Sequence, residues 1–188
     1  MQNANNVTAA KPKKMGAVFC APVGSTLPTD AGSALDAAFK SFGYLSDDGV
    51  TNDNSPESES IKAWGGDVVL TISKGKEDTF AFTAIEATNE TVLAAVYGSS
   101  NVSGTLETGI TVEANADDAE PHSWVIDMLF RDGAGKRIVI PSAAVTKVGS
   151  IVYADGKAVG YPLTIAATPD SSGKTHYEYI KAAASESK

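Results

Sequence analysis

The chain has 188 residues and is short of several things on which particular functions depend. A single cysteine, Cys20, excludes a disulfide framework and any thiolate-rich zinc site. There are only two histidines, His122 and His176, and no Gly-x-Ser-x-Gly elbow, so a hydrolytic triad lacks its usual parts. Positive charge is also scarce: 15 basic side chains stand against 23 acidic ones, a formal net charge of -8. Duplex DNA carries about one negative charge per ~1.7 Å of axis, so such a chain repels DNA rather than grips it. Apolar runs such as Met15 to Val23 fall short of the ~18 residues that a membrane-spanning helix needs. Lys11, Lys13 and Lys14 ahead of MGAVFCAPV have the order of a secretion signal, but Gly16 and Pro22 interrupt the run. Phe19 also occupies the place where a small residue belongs, so export by this segment is not expected.

What is present describes a folded domain. Hydrophobic residues make up 43% of the chain and charged ones 20%, enough to build one core and too apolar for wholesale disorder. The charge is uneven: Asp30 to Glu120 holds 17 acids and four lysines, a net of -13, while the remainder is +5. A molecule polarised in this way can meet a copy of itself. Residues 1–14 and 182–188 are polar or small and are expected to be flexible N- and C-terminal arms around a 15–181 domain.

Inside those limits β signals dominate. Val68, Leu70 and Ile72 alternate with Val69, Thr71 and Ser73, SKGKED supplies a turn, and Phe80 and Phe82 alternate with Thr79, Ala81 and Thr83, which predicts a hairpin with one buried face. Trp124, Ile126, Met128 and Phe130 form another inward row, turned at Asp132 to Gly135 into Arg137 to Ile140. Further hairpins are expected at Asp155-Gly156 and at Asp170 to Gly173. One helix is expected over 88–98, capped by Thr88 or Asn89, carrying Glu90 at its positive end and stopped by Gly98. Residues 35–42 suggest no more than a helical turn. The sum is a mainly β chain, an antiparallel β-sandwich or partial barrel with one flanking α-helix. Ser46 to Ser60, fifteen polar residues with five acids, is expected to be a long loop.

Little chemistry is expected, so the chain is read as non-enzymatic, with no cofactor and no metal. Asp47, Asp48, Asn52, Asp53 and Glu57 do not follow the order of a calcium loop. Gly133 to Lys136 lacks the spacing and the Ser or Thr of a phosphate loop, so it reads as a hairpin turn. Either histidine is expected at a strand end or an interface, and Cys20 as a small buried hydrophobe.

Four segments carry a resemblance: FGYLSDDGVTNDNSPESESIKAWGGDVV, DTFAFTAIEATNETVLAAVYG, SWVIDMLF with RIVIPSAAV, and THYEYIKA. In this order, from about Gly16 to Lys181, the chain resembles the major tail protein, or tail tube protein, of long-tailed bacteriophages. That resemblance implies a β-sandwich whose hexameric rings stack into a hollow tube, part of the virion, through which double-stranded DNA passes without specific binding. Synthesis in the bacterial host cytoplasm and contact with a tape measure protein and tail-end proteins follow from it too. On this reading Asp47, Asp48, Asn52, Asp53 and Asn54 are candidates for ring stacking, and Lys11, Lys13 and Lys14 for an inter-subunit arm. Glu57, Glu59, Glu107 and Glu113 are candidates for the lumen, where carboxylates repel phosphates. The alternatives are the tube of a phage-derived, DNA-free bacteriocin particle and a monomeric carbohydrate-binding or adhesin-like sandwich. The last wants an exposed aromatic platform, which the sequence does not display.

Overall fold

The computed structural model describes residues 2–183. The strands are β1 (Ala10–Pro12), β2 (Val18–Pro22), β3 (Lys40–Ser41), β4 (Leu45–Asp53), β5 (Pro56–Lys62), β6 (Val68–Lys76) and β7 (Thr79–Ala84). After helix α1 (Glu90–Tyr97) come β8 (Val102–Ser103), β9 (Thr111–Val112), β10 (His122–Phe130), β11 (Gly135–Val148), β12 (Tyr161–Ala167) and β13 (Tyr177–Lys181). The fold is mainly β and antiparallel, as expected for a sandwich with one flanking helix, and it does not close into a barrel.

Its centre is the β10–β11 hairpin, which the Trp124 row and the glycine turn led one to expect. Trp124 faces Ile140 and Ile126 faces Ile138 across it, and all four are buried. Each long strand carries two short strands in tandem along its outer edge. On β10 these are β2, paired with 122–126, and β1, paired with 128–130. On β11 they are β13, paired with 135–139, and β12, paired with 143–148. From β12 the sheet continues through β7 to β4.

The sequence pattern accounts for only one face of this centre. Trp124 and Ile126 pack with Phe42, Phe80, Phe82, Leu163 and Ile165 in the main core, against which α1 lays Val92 and Leu93. The opposite row, Val125 and Val139, is also fully covered, by Phe19, Phe39, Leu27 and Leu35. A fully buried large apolar side chain contributes ~1.5–3 kcal/mol, so the two layers together hold the body.

Helix α1 starts as expected, with Asn89 Oδ1 accepting from the Thr91 N–H at 2.9 Å and the Gly98 N–H donating to Ala94 O at the far end. Residues 35–39 form a turn, with the Phe39 N–H donating to Asp36 O at 3.0 Å, that leads into β3.

Several expectations are corrected. Residues 46–60 are not a long loop: they lie in β4 and β5 with a two-residue joint at 54–55. Polar residues on both faces hide the period-2 signal of a strand that has no core beside it. Strand β6 does not pair with β7; it pairs with β5, and β7 pairs with β4 and β12. Asp155-Gly156 sits in a long connection between β11 and β12 rather than in a tight hairpin. Likewise β13 joins β11, not β12, so Asp170 to Gly173 turns the chain without making a hairpin.

Of the expected N-terminal arm, 1–14, residues 8–12 are not free, since β1 is a strand of the chain's own sheet and Thr8 Oγ1 accepts from the Arg131 N–H at 3.0 Å. The expected C-terminal arm, 182–188, lies mostly outside the described residues.

Candidate assembly surface

Strands β4 and β7, then β5 and β6, form one ribbon with a break in the middle. Asp53 faces Thr79 on one side of the break and Pro56 faces Lys76 on the other, so the joints 54–55 and 77–78 preserve the alignment. The inner half is packed: Phe80, Phe82 and Ala84 are buried. In the outer half every residue of both strands is exposed.

Near its tip the outer half carries an apolar patch on otherwise polar strands. Ile61, Val68, Val69, Leu70 and Ile72 lie open, and Trp64 at the tip is 108% exposed. The Ala63 and Asp67 backbones close the turn that presents this indole. One exposed ion pair, Lys74 to Glu59 at 2.7 Å, spans the strands, and such pairs are worth ~0–1 kcal/mol. An isolated two-stranded hairpin is marginal in water, and apolar surface gathered in this way marks an interaction site.

The break is pinned by a buried carboxylate. Asp78, 2% exposed, accepts from Asn52 Nδ2 at 2.8 Å and from Thr175 Oγ1 at 2.5 Å, and His176 Nδ1 lies 2.5 Å from its Oδ2. The Asp78 backbone oxygen also accepts from the Ala167 N–H at 2.9 Å. Burial alone would raise the Asp78 pKa, but the hydrogen bonds from Thr175, His176 and Asn52 hold it below the ordinary carboxylate range. This cluster ties the root of the hairpin to the 168–176 segment. His176, stacked edge-on against Phe80, is therefore a structural residue.

A second buried cluster fixes the N-terminal strand. Asp127 and Arg137 face each other across β10 and β11 and form a two-pronged ion pair at 2.7 and 2.8 Å. Arg137 Nη1 also donates to Asp30 O and Ser33 O, and Lys13 Nζ lies 3.3 Å from Asp127 Oδ2 and donates to Ala31 O. Asp30, whose carboxylate accepts from the Gly32 and Ser33 N–H groups, is held below its usual pKa by those bonds.

Beside β1 runs a groove of about 610 Å³, bounded by 10–17, the start of β4 and part of β10. Met15 and Tyr44 stand exposed at it, and Leu45, Val50 and Met128 are half-buried in it. At its floor Gly43 has φ of +67°, and a Cβ there would overlap the Glu86 carboxylate, which accepts from the Tyr44 N–H at 2.9 Å. The Ser46 hydroxyl, buried on the wall, has no hydrogen-bond partner among the described residues.

The groove gathers two sets of residues that the sequence suggested separately. Asp47 and Asp48 line it, and so do Lys11, Lys13 and Lys14. Asn52 is occupied with Asp78, Asp53 accepts from Ser55 Oγ, and Asn54 sits in the ribbon's break. The four glutamates divide between two small sheets: Glu57 and Glu59 on β5, Glu107 in the turn after β8, and Glu113 just past β9. All four are exposed.

Elsewhere Cys20 lies against the core, and burial pushes its thiol pKa up to about 12. His122 Nδ1 is 3.0 Å from Glu120 O, beside Trp124. No group of three or more His, Cys, Asp or Glu among the described residues is placed to hold a metal. The sequence pattern missed the buried Asp78 and Asp127 clusters; the Asp-Arg pairing across a hairpin was the one available signal.

The exposed hairpin, with its apolar patch, is the surface of this β-sandwich suited to association. The family model for "Phage tail tube protein" matches residues 1–188, the whole chain. The chain belongs to the phage tail tube protein family, a component of the virion tail that assembles with copies of itself into a tube. A search of curated proteins found no significant match. Among the described residues no helix is long and apolar enough to cross a membrane.

Proposed function

We propose that this chain forms hexameric rings that stack into a hollow tube and that the lumen conducts double-stranded DNA into the host during ejection. The observation that carries this reading is the outer half of the β4–β7 ribbon, exposed on both faces and bearing an apolar patch toward its tip, on a chain of the tail tube family. The sheet also leaves edges at β4 and β13 that a neighbouring copy can pair, which removes the hazard of an open edge. A contact between two different surfaces closes a ring when its rotation closes, and repeats along an axis when it does not.

Glu57, Glu59, Glu107 and Glu113 serve the lumen on this reading, repelling phosphates over a Debye length of ~8 Å so that the duplex slides. The tape measure protein and the tail-end proteins are the other partners. The groove lysines Lys11 and Lys14 and the acids Asp47 and Asp48 lie at the contact between subunits.

The test is negative-stain microscopy of the purified protein as its concentration is raised. Rings with six-fold symmetry and long hollow tubes are the expected result; a strict monomer overturns the ring reading. Glu57→Lys, Glu59→Lys and Glu107→Lys together are expected to leave tubes intact while slowing DNA ejection, and unchanged infectivity removes these residues from the lumen.

A further inference from the structure

We infer that Trp64 of one copy seats in the groove between β1 and the start of β4 of the next copy, making a knob-into-hole contact that stacks the subunits. The inference rests on the reading of this chain as a tube subunit and adds which surfaces meet.

Knob and hole occupy opposite ends of the same ribbon. The groove borders the beginning of β4, at residues 44–50, and the hairpin leaves from the end of β4, at Asp53. Beyond the break the seven residues of β5 carry the tip about 23 Å further out at ~3.3 Å per residue. A knob at one end and a hole at the other make a contact between unlike surfaces, which repeats from copy to copy instead of closing a dimer.

The two surfaces also match in chemistry. Trp64 is a fully exposed indole, the side chain most often found as the anchor of an interface. The groove offers Met15 and Tyr44 at its mouth and Leu45, Val50 and Met128 inside, in a volume of the size that takes aromatic ligands. Methionine beside an aromatic ring is a favourable and adaptable contact. Charges flank both parts: Lys62 and Asp67 bracket the tip, while Asp47, Asp48, Lys11 and Lys14 line the groove.

Two readouts test the contact in tubes grown from the full chain. Trp124 is buried already, so a change in tryptophan emission on assembly reports Trp64. The expected result is a blue shift as tubes form, with Trp64→Ser raising the concentration needed for growth about thirtyfold or more while leaving the urea midpoint of the monomer unchanged. A protein carrying Ala63→Cys and Lys14→Cys, which keeps Trp64 and Met15, is expected to give intermolecular disulfide ladders in the tube, and Cys20 stays out of that reaction because it is buried. Wild-type tubes with unshifted emission, and double-cysteine tubes without a ladder, overturn the docking and leave the ring reading standing. A wild-type chain that stays monomeric overturns both.

Discussion

The two halves of the β4–β7 ribbon share their strands' alignment and an alternating apolar composition, yet they live in opposite surroundings. In the inner half Phe80 and Phe82 are buried under the body, whereas in the outer half Val68, Leu70 and Ile72 have nothing over them. The difference lies not in the strands but in what lies beside them. An alternating strand announces that one face is to be covered, and it does not say by which molecule. The inner half stabilises the fold of one chain; the outer half has its apolar surface left over for another.

The largest expected effect comes from crossing that boundary with substitutions of the same kind. Phe80→Ala leaves a cavity in the inner half and is expected to cost ~3–5 kcal/mol in urea unfolding. Leu70→Ser in the outer half is expected to move stability by no more than ~0.5 kcal/mol while abolishing tube growth in the microscope. A body that unfolds on Leu70→Ser breaks the comparison.

Next is Arg137→Ala, which takes the two-pronged partner from the buried Asp127 carboxylate, leaving it Lys13, and is expected to cost ~3 kcal/mol. The same change releases the 30–33 segment, whose Ala31 O accepts from Lys13, so limited trypsin digestion at Lys13 or Lys14 is expected to speed up. An unchanged cleavage rate removes this cluster as the anchor of β1.

Asp78→Asn acts on the joint itself, with an expected loss of ~1–3 kcal/mol from hydrogen bonds left incomplete. Amide exchange around the joint is expected to quicken more than exchange in β10. The pH dependence has a definite sign. Because the folded pKa of Asp78 is depressed, its stabilisation is fully present above the unfolded value of about 3.9 and is lost as the pH falls through the folded value. Urea midpoints of the wild type are expected to fall with acidification by more than those of Asp78→Asn; equal slopes count against the charged latch.

The smallest effect is the absence of one. With its pKa pushed up to about 12 inside the body, Cys20 is expected to ignore a disulfide reagent at pH 8 until urea unfolds the chain. Rapid labelling of the native protein would place the β2 layer among the loose parts of the molecule.

Much of the packed half was legible in the sequence because its signals are local. The Trp124 row and its glycine turn specify the central hairpin, and Asn89 with Gly98 specify both ends of the helix. The bare half was half-legible: its apolar alternation was visible, but alternation holds no information on partner choice, so β6 was joined to β7 rather than to β5. The acidic stretch 46–60 carried no strand signal, since neither face of β5 meets a core. The docking of β1 depends on Lys13 meeting Asp127, groups more than a hundred residues apart, and no local pattern encodes that. Of the candidate residues, Asp47 and Asp48 were brought together with Lys11 and Lys14 by the same long-range closure.

The tandem strands on the central hairpin also set the order in which a subunit can be completed during synthesis. Strands β1 and β2 find their long partner only when β10 has been made, near residue 130, and the open edge of β11 waits for β13, which ends at Lys181. The nascent chain thus carries its apolar hairpin, residues 56–76, for more than half of its translation before the body that supports it can close. Long-range pairing of this kind is slow, and a chain that finishes folding only at its last strand reaches the polymerising pool as a whole subunit or not at all.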